Sequence, residues 1–85
     1  MPEYTVTLAK RAAKQLDKLP DNVVAPILSA IGTLSTNPRP LGYIKLKGRN
    51  GYRIRVGDYR IIYEIIDFLL VVDVVDLGHR RDVYR

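Results

Sequence analysis

From Tyr52 onward the chain alternates apolar and cationic residues, Tyr52-Arg53-Ile54-Arg55-Val56. A second run, Tyr59-Arg60-Ile61-Ile62-Tyr63, follows after Gly57-Asp58. Period-two alternation predicts strands, and glycine at the first of two central positions suits a tight hairpin turn. Counting outward from that turn sets Val56 against Tyr59, Arg55 against Arg60, Ile54 against Ile61 and Arg53 against Ile62. Tyr52, Ile54, Val56, Tyr59, Ile61 and Tyr63 then share one face, and Arg53, Arg55 and Arg60 the other. Upstream, Tyr4, Val6 and Leu8 alternate with polar residues and predict a first strand over 3–7. Thr7 is placed to cap a helix over 8–18, whose apolar positions are Leu8, Ala12, Leu16 and Leu19. Pro20 ends it. A second helix starts at Asp21 or Asn22 with Val24, Ile27, Leu28, Ile31 and Leu34 as its buried stripe and Pro26 near its first turn. The polar, proline-punctuated segment 35–40 closes it.

Residues 41–50 read as a glycine-flanked connector, with Ile44 and Leu46 anchored to the core and Lys45 and Lys47 outward. The strand after the hairpin turn continues to Ile66, and Asp67-Phe68 makes the next turn. A Val- and Leu-rich strand over 69–77 is apolar enough to be central, and Gly78 breaks it. Asp73 and Asp76, an odd number apart, face opposite sides of that strand. One of them is available to pair with an arginine of the hairpin, and a structural role is the simpler reading for both. The order strand, helix, helix, then three successive antiparallel strands predicts an α+β sandwich of two layers in a single domain, 1–85.

Composition narrows the chemistry. A chain of 85 residues buries a small core, and its apolar fraction of 47% must stabilise it by packing. There is no cysteine and a single histidine, His79, so disulfides, thiolate metal sites and multi-histidine sites are excluded; no metal or cofactor is expected. The N-terminus lacks the layout of a signal peptide, and Glu64, Asp67, Asp73 and Asp76 interrupt the one long apolar run. A cytoplasmic protein without a membrane segment is the expectation.

The net charge of +5 is unevenly placed. Residues 45–60 hold Lys45, Lys47, Arg49, Arg53, Arg55 and Arg60 against Asp58 alone, whereas 61–78 carry four acids and no cation. Arg80, Arg81 and Arg85 restore positive charge in the tail. Nucleic acid is the first partner such a pattern suggests. The hairpin sharpens it. Like charges directly opposite on a sheet are destabilising, so Arg55 across from Arg60 beside Arg53 makes sense if an anion sits among them. Guanidinium groups suit phosphate because their planar fork donates in pairs and stays charged. The alternative is a plain solvated basic face. Lys45 and Lys47 likewise read as solubilising residues or as phosphate contacts.

The hairpin, with its Gly57-Asp58-Tyr59-Arg60 turn, and the tail Gly78-His79-Arg80-Arg81-Asp82-Val83-Tyr84 occur together in this order, after a Leu16-x-x-Leu19-Pro20 helix end. In this the chain resembles the RelE/ParE toxin superfamily, and the RelE branch most closely. The resemblance implies the two-layer RelE-like fold and a ribosome-dependent endoribonuclease. It would enter the ribosomal A site, cut mRNA there, and be held inactive by a RelB-like antitoxin. Carried over by position, Arg60 stabilises the phosphorane-like transition state, Arg80 assists the leaving 5′-oxygen, and Tyr84 stacks on or orients a nucleotide. Arg53 and Arg55 occupy positions that are lysines in the best-known member. The tail between Gly78 and Tyr84 is shorter than in that member, so Arg80 and Arg81 could exchange roles. Metal-free ribonuclease chemistry uses the adjacent 2′-hydroxyl as nucleophile and needs positioning and charge neutralisation.

A general base is not evident. Arginine cannot serve, and His79 and Tyr84 stay open for proton transfer against structural and stacking roles. Lys45, Lys47, Arg49 and Arg53 are the expected RNA contacts, and Tyr52 and Tyr63 belong to the core. Two other functions share these features: a ParE-like toxin that poisons gyrase without hydrolysis, and a binding module without catalysis.

Overall fold

A computed structural model describes residues 3–79. The elements are β1 (Thr5–Leu8), α1 (Lys10–Asp17), α2 (Asp21–Thr36), β2 (Ile44–Lys45), β3 (Tyr52–Val56), β4 (Tyr59–Ile66) and β5 (Val71–His79), with a 3₁₀ turn at Asp67–Leu69 between the last two. They form one five-stranded sheet in the order β1-β5-β4-β3-β2. The predicted meander is present as β3-β4-β5. β2 extends it antiparallel at one edge, and β1 joins β5 in parallel at the other.

Both helices pack on one face. Ala12 of α1 and Ile27, Ile31 and Leu34 of α2 meet Ile54, Ile61, Tyr63, Val72, Val74 and Leu77 of the sheet in a single buried cluster. The hairpin pairs as the sequence predicts, from Tyr52 against Tyr63 to Val56 against Tyr59. Gly57 sits at φ 59°, the left-handed geometry that a tight turn between twisted strands requires at its first central residue. That register puts the aliphatic side of the alternation into the core and turns Arg53, Arg55 and Arg60 to the helix-free face.

Several local expectations need correction. Thr7 does not cap α1. The helix begins at Lys10 after Ala9, with no side-chain cap, and the Thr7 hydroxyl instead donates to the Asp73 carboxylate at 2.9 Å. Leu8 is the last residue of β1 and is exposed, as is Leu28 on α2. Pro26 lies in the second turn of α2, not the first. Gly78 does not break β5 but pairs with Arg60 inside it. A β-bulge in β5 shifts the register between Ile62 and Tyr63, which pair with Asp76 and Val74. Such an extra residue re-aims side chains that strict alternation would place elsewhere.

Asp76 meets α1 rather than the hairpin arginines, a structural pairing. Its carboxylate accepts from Gln15 at 2.8 Å and from Arg11 at 3.3 Å. The same Gln15 side chain accepts the Leu77 amide at 2.9 Å. β1 reaches along β5 only as far as Val74, so beyond that point Gln15 supplies the acceptor that a strand would have offered.

Candidate functional site

The hairpin brings Arg55 and Arg60 face to face. With a two-residue loop, the residues flanking the turn form a hydrogen-bonded pair and the next pair out does not. Arg55 and Arg60 are that next pair, where Cα atoms approach to about 4.5 Å and side chains lie closest. On its other side Arg60 faces Gly78, which has no side chain. Arg53 follows two residues from Arg55 on the same face. Arg55 is exposed, whereas Arg53 and Arg60 are half-buried and their Nε atoms are out of reach of solvent. Ile62, between Arg53 and Asp76 in register, is fully buried. A freely solvated basic face therefore describes Arg55 alone.

The other expected site residues divide. His79 is the last residue of β5, opposite Tyr59, with the two rings edge to face at 5.7 Å. Register puts it on the side that carries Ile61, across the sheet from Arg60. Lys45 is exposed and pairs with Tyr52, so register separates it from Arg53. With Arg49 it lines a separate hollow beside Tyr52 and Glu64. Lys47 is exposed in the β2–β3 loop. Arg80, Arg81 and Tyr84 lie outside the described residues. Among the described residues no group of three or more His, Cys, Asp or Glu could hold a metal ion.

Ile44 departs most from expectation. It does not anchor the connector to the core. It pairs with Arg53 on the arginine side of the sheet and is 46% exposed. Leu46 is half-buried, and its amide donates to the Gly51 carbonyl at 3.0 Å.

The segment before β2 is fixed by contacts that local sequence reading cannot supply. Tyr63 is fully buried, and its hydroxyl donates to the Pro38 carbonyl at 2.7 Å. Burial pushes its pKa up to about 12. The two terminal nitrogens of Arg39 donate to the Asp67 carboxylate at 2.9 and 3.3 Å, and the Tyr4 hydroxyl joins them at 2.6 Å. The Arg39 guanidinium also lies 5.9 Å from the Tyr52 ring centre, within cation–π range. Tyr52 in turn stands between Tyr43 and Tyr63 at 5.8 and 5.9 Å.

Hydrogen bonding from Arg39, then from Tyr4, holds the Asp67 carboxyl below its ordinary pKa. A carboxylate whose pKa is depressed by folding contributes stability above its unfolded pKa and loses it as pH falls through the folded value. Asp67 is solvent-exposed, so the contribution is screened. Arg39→Met is expected to move the Asp67 carboxyl titration, followed by NMR, back up toward the ordinary carboxylate range. An unmoved midpoint would show that Arg39 is not its cause.

Comparisons with known proteins identify the family and the fold. A family model described as the ParE toxin of the type II toxin–antitoxin system parDE matches residues 6–84. The chain belongs to the RelE/ParE superfamily of type II toxin–antitoxin toxins. Toxin RelG of Mycobacterium tuberculosis is 33% identical over 84 residues, which is 96% of this chain and 97% of RelG. Among solved structures, a chain of the RelBE2 toxin–antitoxin complex of Mycobacterium tuberculosis superposes with a TM-score of 0.82 at 33% identity, covering 96% of this chain and 97% of that one. A chain of the archaeal RelE–RelB complex of Pyrococcus horikoshii gives 0.82 at 31%, covering 95% and 99%. The α+β fold read from the sequence is the fold of these toxins.

Proposed function

We propose that this toxin is a metal-independent endoribonuclease that cuts mRNA in the ribosomal A site and is neutralised in the cytoplasm by a RelB-like antitoxin. The observation that carries this reading is Arg60 set between Arg55 and the side-chain-free Gly78. Opposed guanidinium groups repel one another, and a phosphodiester seated against them removes that repulsion. In the reaction the 2′-oxygen loses its proton and bonds to phosphorus, and the bond to the 5′-oxygen breaks. The products are a 2′,3′-cyclic phosphate and a 5′-hydroxyl, which takes up a proton. Arg60 and Arg55 neutralise the extra charge on the phosphoryl oxygens at the transition state. Arg53 holds the neighbouring backbone. The proposed roles of Arg80, Arg81 and Tyr84 rest on their positions in the sequence motif.

A second reading has one finding in its favour. The matching family model is described by the ParE name, and a ParE-like toxin would poison gyrase without hydrolysis. The arginine set favours the nuclease, as do relatives named RelE and RelG. Adding the protein to a cell-free translation reaction and mapping mRNA ends separates the two. Cuts at codon spacing support the nuclease; intact mRNA with gyrase trapped on DNA overturns it.

The position of His79 leads to a narrower expectation. Its ring meets Tyr59 on the far side of the sheet from Arg60. His79→Gln is therefore expected to slow cleavage by less than about tenfold and to leave the shape of the pH–rate profile unchanged. A loss of about 10²–10⁴-fold together with the acid limb of the profile would make His79 the base.

A further inference from the structure

The helix-free face carries a second feature beside the arginines. A cleft of about 480 Å³ opens against the Arg53-Ile54-Arg55 stretch of β3, and its remaining wall is Pro40, Leu41, Gly42 and Ile44. The Tyr43 amide donates to the Pro40 carbonyl at 3.0 Å and Gly42 has φ 91°. This is a type II turn with Leu41 at its first central position. Leu41 is fully exposed and Ile44 nearly half so. Singly exposed aliphatic residues are ordinary. Here, however, the turn is tied down on both flanks. Tyr63 holds Pro38, Asp67 holds Arg39, Tyr52 packs on Tyr43, and Ile44 pairs with Arg53. A rigidly held turn presents an apolar tip to water next to two guanidinium groups.

We infer that this cleft is the subsite for a nucleobase flanking the scissile phosphate, with Leu41 and Ile44 covering the base and Arg53 beside it. The inference rests on the RNA-cleaving reading above and adds the residues that grip the substrate next to the cut. Its chemistry is that of single-stranded RNA, in which an anionic backbone and a flat apolar base recur at every nucleotide. Arg55 lines both this cleft and the small hollow at Arg60. A strand whose phosphate lies between Arg55 and Arg60 can therefore place an adjacent base in the cleft. Guanidinium planes stack on unpaired bases, and Leu41 and Ile44 give the base a dry surface. An apolar occupant alone would leave the exposed Arg55 facing it without a counter-charge. An anion alone would gain nothing from Leu41.

The test uses the full-length toxin and uncleavable 2′-O-methyl RNA hexamers in fluorescence anisotropy at low salt. One hexamer is intact; the others carry a single abasic site moved along the strand. Wild type is expected to lose about fivefold to tenfold in affinity when the abasic position falls in the cleft, the worth of covering roughly half a leucine. Leu41→Ser should bind the intact hexamer as weakly and no longer distinguish that abasic position. Its circular dichroism should be unchanged, since Leu41 is fully exposed. Equal wild-type affinity for every hexamer, or a Leu41→Ser protein that still discriminates, overturns the subsite. Arg55→Ala separates the two levels of the argument. Weakened binding to all hexamers sustains the RNA reading whatever Leu41 does. Unchanged binding with Arg55→Ala, or no wild-type binding, removes the RNA reading and the subsite together.

Discussion

Arg60→Ala is expected to lower mRNA cleavage by about 10²–10³-fold, the usual consequence of removing one donor aimed at transition-state charge. The fold should survive. Arg60 stands opposite Arg55, and alanine there leaves the backbone pairing of β3 with β4 in place. Thermal melts should therefore stay within a few degrees of wild type. This combination is diagnostic. A residue held for structure costs stability when removed, and one held for the substrate costs activity alone. Cleavage rates and melts measured on the same preparation decide the matter. Wild-type cleavage by Arg60→Ala would falsify the transition-state role. A slow variant that also melts far lower would make Arg60 a structural residue, and its rate loss an indirect one.

The hairpin that carries Arg60 was legible because everything needed to place it is local. Gly57 marks the turn, and pairing follows by counting outward from it, out to Tyr52 against Tyr63. The core stripe of α2 was legible for a similar reason, since Ile27, Ile31 and Leu34 repeat at helical spacing and bury together. Ile44 was not. Its aliphatic side chain argued for the core, but β2 pairs with β3 in the register that sets it beside Arg53, and two-residue strands carry no alternation to reveal a face. Asp73 and Asp76 take structural partners on different sides, Thr7 for one and Gln15 and Arg11 of α1 for the other. What alternation missed is the bulge in β5, which sets Leu77 rather than Asp76 opposite Ile61. Gly78 looked like a strand end because glycine weakens strands. In the fold it continues the strand, across from Arg60. The contacts that rigidify Leu41 join Arg39 to Asp67 and Pro38 to Tyr63, pairs that no local pattern connects.

The largest loss of stability from a small change is expected at Gly51. This glycine is buried between the β2–β3 loop and β4, at φ 120°. A Cβ built there lies 3.0 Å from the carbonyl oxygen of Tyr63, and 3.8 Å from both Ile62 and Leu46. Two costs therefore coincide in Gly51→Ala. The backbone angle is one that side chains rarely tolerate, and the new methyl presses on main chain in the central hairpin rather than on a side chain that could turn aside. Together they are expected to cost about 2–3 kcal/mol, lowering Tm by about 10–20 °C in a domain of this size. Gly57→Ala is the matched control. Gly57 also has a left-handed φ, 59°, but nothing lies within 4 Å of its Cβ position. Its cost should be the conformational part alone, about 1 kcal/mol. Differential scanning calorimetry on the two variants measures the difference. If both fall by the same amount, backbone conformation accounts for everything and the Tyr63 carbonyl yields freely. A clearly larger drop for Gly51→Ala would show that close approach of the β2–β3 loop to β4 is what requires glycine there, and that this approach sets the register by which β2 carries Ile44 to Arg53.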